Sequence, residues 1–203
     1  MIDLYTWKTP NGYKVAIMLE ECQIPYKIIP VDISKNAQYD QEFLKISPSN
    51  KIPIIVDHDN ESMAIFESGA ILIYLAEKTG KFLPADLKLK TQVIQWLMFQ
   101  MSGVGPIFGQ LFHFKKSAKE NIPYAIQRYT KETIRLLNVI EKQLTNNDYI
   151  ADAYSIADMA IYPWITGMKK VLSTEMDNMP NITKWFNLIG DREAVKRAMN
   201  IVI

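Results

Sequence analysis

The turn between the first predicted strand and the first predicted helix is well suited to bind an anion. Its residues are Thr9, Pro10, Asn11 and Gly12. A helix N-terminus presents unpaired N–H groups and the positive end of the helix dipole. A thiolate placed there would accept hydrogen bonds from the Thr9 hydroxyl and the Asn11 N–H, which can lower its pKa by about one to two units. A simple helix cap by Thr9 or Asn11, with Pro10 at the helix start, explains the same residues.

The chain does not supply a thiol at that turn. Its one cysteine, Cys22, lies three helical turns further on, along an apolar face formed with Val15, Met18 and Leu19. Thiols become reactive at helix N-termini or beside cations, whereas buried structural cysteines are inert. A single cysteine also excludes an internal disulfide and a zinc cluster. We therefore predict that Cys22 is a core residue and that a reacting thiol arrives with a ligand.

A proline stands at the entrance of a predicted strand in "NKIPIIVD", Asn50 to Asp57. Proline is unusual there because it cannot donate to the strand ladder. A cis peptide bond between Ile52 and Pro53 would explain the position, since cis bonds are almost confined to X-Pro sequences. The kink would leave the Ile52 N–H and C=O facing the turn, where an extended peptide could pair with them. A plain edge-strand proline is the alternative.

Glu67 and Ser68 stand where another predicted strand gives way to a helix, in "FESGA". The Glu67 carboxylate can accept hydrogen bonds from an ammonium group. The Ser68 hydroxyl and the N–H groups that follow it can donate to a carboxylate at the helix N-terminus. A routine N-cap by Ser68 is the alternative.

The elements that must position these residues alternate up to about residue 78. Short apolar runs and amphipathic stretches follow in the order strand, helix, strand, helix, strand, strand, helix. One parallel crossover followed by a terminal hairpin is the arrangement of a thioredoxin-like α/β domain. We assign this domain to residues 1–79 and a linker to residues 80–86.

Beyond the linker the predicted strands stop, and we predict an all-α C-terminal domain over residues 87–203. One of its helices carries an apolar stripe at helical spacing. The stripe consists of Ile126, Tyr129, Thr133, Leu136, Ile140 and Leu144. Another helix opens with Ser155 and Asp158, which have the spacing of a capping box with Asp in place of the usual Glu.

The overall composition narrows the classes of function. The 203 residues include 23 basic and 22 acidic ones, and the net charge of +1 favours neither nucleic acid nor an anionic membrane as a partner. We see no apolar run of the roughly 18 residues that span a bilayer and no secretion signal. The two histidines, His58 and His113, are isolated, so we predict no metal site. A cytoplasmic location fits these features.

Taken together, the motifs resemble those of the glutathione transferase family over essentially the whole chain. "SPSNKIPIIVD", "FESGAILIYLAEKTG", "IPYAIQRY" and "YSIADMAIYPW" are similar to motifs of that family. "TPNG", "GPIFGQ" and "IPYAIQRY" resemble more narrowly its bacterial nu-class, whose members act as glutathione-dependent disulfide-bond oxidoreductases. Fungal nitrogen-regulator proteins are similar too. The resemblance implies the glutathione transferase fold.

The resemblance also implies how glutathione would be held. Thr9 and Asn11 would contact its sulfur, and the Ile52 backbone would pair with its cysteinyl unit, with Pro53 in the cis form. The remaining partners would hold its charged ends. Glu67 would bind the γ-glutamyl ammonium, and Ser68 would bind the γ-glutamyl carboxylate. Gln38 and Arg128 would bind carboxylate ends, with Arg128 reaching over from the second subunit of a homodimer. A tripeptide with two carboxylates and one ammonium needs about such a set.

The implied activity is glutathione-dependent reduction of small or mixed disulfides by thiol–disulfide exchange, without an enzyme cysteine. Conjugation of glutathione to an electrophile needs the same thiolate and stays an alternative. A non-enzymatic glutathione-binding regulatory protein is the alternative from another class. Trp7 and Lys8, before Thr9, are bulkier and more basic than the resemblance leads us to expect, which bears on the second-substrate pocket.

Overall fold

A computed structural model describes all 203 residues. Contacts between residues divide the chain into two compact units. The first unit consists of Met1–Leu83 together with Asp191–Ile203, and the second consists of Pro84–Gly190.

The first unit is built on a four-stranded mixed sheet, which confirms the predicted order of elements. In spatial order β2-β1-β3-β4, β1 pairs parallel with β2 and antiparallel with β3, and β3 pairs antiparallel with β4. The elements are β1 (Ile2–Thr6), α1 (Pro10–Cys22), β2 (Tyr26–Pro30), α2 (Gln41–Ile46), β3 (Ile54–Asp57), β4 (Met63–Phe66) and α3 (Ser68–Thr79). Gly80, with φ 66°, ends α3 as its left-handed C-cap.

Three helices of this unit pack together: α1 lies against α3, and the last helix of the chain, α10 (Glu193–Met199), lies along α1. Arg192, just before α10, makes two hydrogen bonds to the Glu21 carboxylate at 2.6 and 2.9 Å. Arg197 donates to Glu20 at 2.7 Å. These ion pairs, together with buried Val195 and Ala198, attach the end of the chain to the first unit.

The second unit is helical. Its elements are α4 (Leu87–Phe99), a π-helical segment (Gln100–Val104), α5 (Gly105–Phe112), a second π-helical segment (His113–Ser117), α6 (Pro123–Gln143), α7 (Ile156–Met168), α8 (Ser173–Met176) and α9 (Pro180–Gly190). The predicted capping box of Ser155 and Asp158 is present at the start of α7. The Asp158 carboxylate also accepts from Ile150 N at 2.9 Å and from Trp185 Nε1 at 2.8 Å, so it fixes three segments.

No helix combines the length and the apolar character that crossing a bilayer requires. No group of three or more His, Cys, Asp or Glu side chains is arranged to hold a metal ion.

Candidate functional site

Most of the predicted site residues converge at one end of the sheet. Tyr5 near the end of β1 is paired with Ile54 at the start of β3, and Ile54 is paired with Phe66 at the end of β4. Three chain segments therefore leave or enter the sheet side by side. These segments carry Thr9, Asn11, Ile52, Pro53, Glu67 and Ser68.

Thr9 is the N-cap of α1. Its backbone is extended (φ −134°, ψ 154°), its side-chain oxygen accepts a hydrogen bond from the Gly12 N–H at 3.2 Å, and Pro10 is the first helical residue. The cap that the sequence allowed is thus present. A hydroxyl has one donor and two acceptor positions, so capping leaves the Thr9 proton able to serve a bound anion. Asn11 follows at the second helical position, half-buried.

Gly12 lets α1 begin very close to the end of β1. A Cβ atom at this position would lie 2.2 Å from Thr6 Oγ1 and 2.7 Å from the Trp7 carbonyl oxygen. The Trp7 oxygen is a main-chain atom and cannot rotate away. The close approach therefore requires glycine, and it fixes where Thr9 stands relative to the sheet.

Glu67 and Ser68 open α3, but in different roles from a routine serine cap. Glu67, not Ser68, occupies the N-cap position, and it makes no side-chain capping bond. Its φ of 70° with ψ of 113° is a conformation that costs a non-glycine residue about 1–3 kcal/mol. Its side chain is exposed, while Ser68, the first residue of α3, is buried. The alternative of a Ser68 N-cap is wrong.

The strain at Glu67 is consistent with a ligand site. Backbone strain of this kind clusters where a fold must present a side chain in one direction. Here it places an exposed carboxylate beside the first amide groups of α3, which no side chain caps. Glu67 and Ser68 thus place a carboxylate next to hydrogen-bond donors that can bind an anion.

Lys14 is a site component that the sequence analysis missed. Its side chain is 1% exposed, and its Nζ donates to Ser68 Oγ at 3.2 Å, which connects α1 to α3. Burial lowers the pKa of Lys14 to about 7, against the opposing effect of the Glu67 carboxylate. The sequence did contain a signal for the burial of Lys14, because the apolar residues Ile17 and Met18 follow it at helical spacing. Both are fully buried.

The Ile52–Pro53 peptide bond is cis, as predicted. The Ile52 side chain packs on a small cluster of Val31, Phe43 and Ile54. The hydrogen bonds outside helices and strands include none to the Ile52 N–H or C=O. Both groups therefore remain able to pair with an extended peptide, which is what the sequence analysis predicted for them.

Gln38 lies in a short 3₁₀ turn after β2, next to Ala37, which packs on the same cluster as Ile52. Its Oε1 atom is buried and has no hydrogen-bond partner within the chain. Buried polar atoms are usually paired, so an unpaired one next to a candidate site is a place for a ligand or water to bind.

Cys22 lies away from the site. It is the last residue of α1, it is 8% exposed, and its Sγ contacts Met18 Sδ at 3.9 Å and Thr79 Oγ1 at 3.6 Å. Burial raises the pKa of its thiol. The prediction that Cys22 is a core residue is confirmed.

Arg128 belongs to the second unit, on α6, where it is exposed. With Tyr124, Tyr129 and Lys131 it lines an open groove of about 790 Å³. The neighbouring Arg135 donates two hydrogen bonds to Glu132, at 2.8 and 2.7 Å, so its charge is balanced locally. Arg128 and Lys131 give the groove a positive character.

The chain is similar to known proteins in both sequence and structure. The model of the glutathione S-transferase N-terminal domain matches residues 1–77, and that of the glutathione S-transferase C-terminal domain matches residues 107–193. The disulfide-bond oxidoreductase YfcG of Escherichia coli is 45% identical over 204 residues, covering 98% of this chain and 94% of that protein.

Two solved structures illustrate the likeness in three dimensions. A glutathione transferase family member from Pseudomonas fluorescens with two glutathione bound has a TM-score of 0.94 and 42% identity, over 99% of this chain and 93% of that one. A glutathione transferase from Pseudomonas putida with one glutathione disulfide bound per subunit has a TM-score of 0.91 and 38% identity, over 98% and 91% of the two chains.

Proposed function

Because the chain belongs to the glutathione transferase family of enzymes, we propose that it reduces small or mixed disulfides with the thiolate of bound glutathione. One observation carries the proposal. The α1 N-terminus offers Thr9 as an anion-binding hydroxyl but no cysteine, while the single cysteine of the chain is buried at the other end of the helix. A thiolate bound at the start of α1 would therefore come from a ligand and not from the chain.

The reaction consists of two thiol–disulfide exchanges. In the first, the glutathione thiolate attacks one sulfur of the substrate disulfide, which forms a mixed disulfide and releases one substrate thiol. In the second, another glutathione thiolate attacks the glutathione sulfur of the mixed disulfide, which forms glutathione disulfide and releases the second thiol. Two electrons pass from two glutathione molecules to the substrate, and the protein is unchanged. Exchange is fastest when the pKa of the attacking thiol lies near the ambient pH.

The protein contributes by orientation and by electrostatic stabilisation. Thr9 donates to the sulfur, and Asn11 supplies a second donor beside it. The Ile52 main chain pairs with the cysteinyl unit next to cis-Pro53. Binding of a structurally related protein to glutathione disulfide supports a site that accommodates both glutathione units.

The charged ends of glutathione are assigned to the strained turn and its surroundings. Glu67 accepts from the γ-glutamyl ammonium, and Ser68 donates to the carboxylate of the same unit. Gln38 binds the other carboxylate. The supporting features are the exposed Glu67 side chain at a strained position and the unpaired buried Oε1 of Gln38.

Arg128 completes the proposed set from a second subunit. In this arrangement the protein is a homodimer, and the positive groove on α6 supplies a guanidinium to a carboxylate bound by the partner. Two features support this role. The Arg128 side chain is exposed, and the neighbouring Lys131, which lines the same groove, has no ion-pair partner. Sedimentation at micromolar concentration checks the dimer: a monomer that turns over disulfides at the full rate would contradict this part of the proposal.

A cytoplasmic location belongs to the same proposal. Reduction of disulfides by glutathione requires a pool in which reduced glutathione predominates, and the cytosol maintains such a pool.

The test of the function is a comparison of two substrates. Purified protein is supplied with glutathione and either a small hydroxyalkyl disulfide or an aryl halide. Glutathione disulfide formation is followed through glutathione reductase and NADPH, and conjugation is followed by absorbance. The proposal predicts faster turnover of the disulfide. Faster turnover of the aryl halide would favour conjugation, and the absence of glutathione binding in calorimetry would favour a non-enzymatic role.

A further inference from the structure

Lys14 is a buried cation with no part in the two exchange steps described above. It lies in the second turn of α1, with 1% of its surface exposed. Lysine is almost never fully buried without a specific partner, because removing an ammonium from water is costly. One contact that offsets this cost is the 3.2 Å hydrogen bond from Nζ to Ser68 Oγ.

The charge state of Lys14 decides the direction of that hydrogen bond. An ammonium has three donors and no acceptor, so Ser68 Oγ accepts from it and the Ser68 proton turns toward another acceptor. A neutral amine has a lone pair and can accept from Ser68 instead, which turns the hydroxyl proton inward. A charged Lys14 therefore sets Ser68 to donate to an anion at the start of α3.

Both the ammonium and the neutral amine form of Lys14 are accessible near neutral pH. Burial lowers its pKa to about 7, and the Glu67 carboxylate opposes this shift. The other charged side chains of α3 and α10 lie toward the far end of α1. Those on α3 are Glu77 and Lys78. Those around α10 are Arg192 and Arg197, which pair with Glu21 and Glu20, and Lys196 and Glu193, which pair with each other.

We propose that Lys14 is a positioning residue for the γ-glutamyl carboxylate: it acts through Ser68, and it takes up a proton when that carboxylate binds. The inference rests on the proposed glutathione site and names the residue that makes this site selective for a carboxylate. A bound carboxylate next to Ser68 favours the ammonium, and the ammonium strengthens the hydrogen bond that Ser68 donates.

The first test uses Lys14→Met, which keeps the length of the side chain and removes its charge. Three S-methylated ligands are compared by calorimetry: glutathione, the analogue with 4-aminobutyryl in place of γ-glutamyl, and the analogue with glutaryl in its place. The 4-aminobutyryl compound lacks only the carboxylate, and the glutaryl compound lacks only the amine. The S-methyl group replaces the thiol proton, so ionisation of the thiol does not contribute to the proton uptake measured on binding.

The expected result is selective. Lys14→Met weakens binding of the glutathione and glutaryl ligands about tenfold or more, while the 4-aminobutyryl ligand binds the variant as it binds the wild type. The exposed Lys27→Met on β2 is the matched charge control and leaves all three unchanged. Equal weakening of all three ligands, or of none, would overturn the role of Lys14.

The second test needs only the wild-type protein and therefore holds even if Lys14→Met does not fold. Calorimetry at pH 8 in two buffers of different ionisation enthalpy reports proton uptake on binding. S-methylglutathione is expected to bind with net proton uptake, and the 4-aminobutyryl ligand without it. Equal proton uptake for both ligands would overturn the inference and leave the proposed function intact. A wild-type protein that binds none of the ligands would overturn both.

Discussion

The Gly12 N–H and the Thr9 hydroxyl oxygen are joined by a hydrogen bond of 3.2 Å across the first turn of α1. This bond uses an acceptor position of the hydroxyl and leaves its proton for another partner. No acceptor for that proton is found within the chain. Capping the helix and donating to a thiolate are therefore compatible functions of one side chain, and the two explanations of this turn are not exclusive.

Replacing Thr9 separates its two functions. Thr9→Asp keeps an oxygen that caps α1, so stability should be retained. The carboxylate has no proton to donate and repels a thiolate, so the rate of disulfide reduction should fall at least about tenfold. Thr9→Ser keeps both functions and is the control. Kinetics and thermal unfolding of both variants check this, and a fully active Thr9→Asp would contradict a donor role for Thr9.

Removing the only thiol should not affect catalysis. Cys22→Ser places a hydroxyl in a nearly buried position beside Thr79, and we expect a loss of about 1 kcal/mol in stability. The rate of disulfide reduction should stay at the wild-type value because Cys22 lies outside the site. If the folded variant loses its activity, the protein contributes a nucleophile after all and the mechanism is wrong.

Gly12→Ala should be damaging even though alanine is the better helix former. The new Cβ would meet Thr6 Oγ1 and the Trp7 carbonyl oxygen, so we expect a destabilisation of about 2–3 kcal/mol and a displaced Thr9. Gly167→Ala in α7 is the matched control, because nothing lies within 4 Å of its Cβ position. That variant should gain up to about 1 kcal/mol. Urea unfolding of both measures the contrast, and equal effects would show that the close approach is relaxed in solution.

Asp57 should make stability depend on pH. Burial alone would raise the pKa of Asp57, but hydrogen bonds from Lys78, Tyr74 and the Asp59 N–H outweigh it and hold the pKa below its ordinary value. The folded state therefore binds the proton less tightly than the unfolded state does. The stabilisation is present above about pH 4 and is lost as the pH falls through the folded-state pKa.

The variant Asp57→Asn tests this dependence without touching the candidate site, since Asp57 is at the opposite end of β3 from Ile54. It should lose about 2–3 kcal/mol at pH 7, because the amide has no negative charge to pair with Lys78 and one acceptor oxygen where the carboxylate has two. The deficit should shrink at about pH 3, because below about pH 4 the unfolded chain takes up a proton that the folded carboxylate binds less tightly. The exposed Asp152→Asn is the control. Urea unfolding at both pH values measures the deficit, and one that did not change with pH would contradict the assignment.

Local patterns were sufficient to predict the order of strands and helices. The apolar stripe of α1 and the alternation of short apolar runs with amphipathic stretches are signals within a few residues, and they predict a parallel crossover and a hairpin. The family motifs then pointed to the same fold, and the comparisons confirm it.

What local patterns could not predict depends on contacts that are distant in sequence. A serine before an apolar stretch is typical of an N-cap, but the reversal between β4 and α3 places Glu67 in that position instead. A lysine on an amphipathic helix usually reaches solvent, and only the packing of α1 on α3 shows that Lys14 does not. The attachment of α10 to α1 likewise depends on contacts distant in sequence, which include the ion pairs of Arg192 and Arg197.

The most direct measurement of the central claim is a titration of the glutathione thiol in the complex. Thiolate absorbs ultraviolet light more strongly than thiol, so difference absorbance between saturated protein and its separate components reports the ionised fraction at each pH. We predict a pKa about one to two units below the ordinary thiol value of about 8.5, and a smaller shift in Thr9→Ala. A bound thiol that titrates at its ordinary value would contradict activation of glutathione by this site.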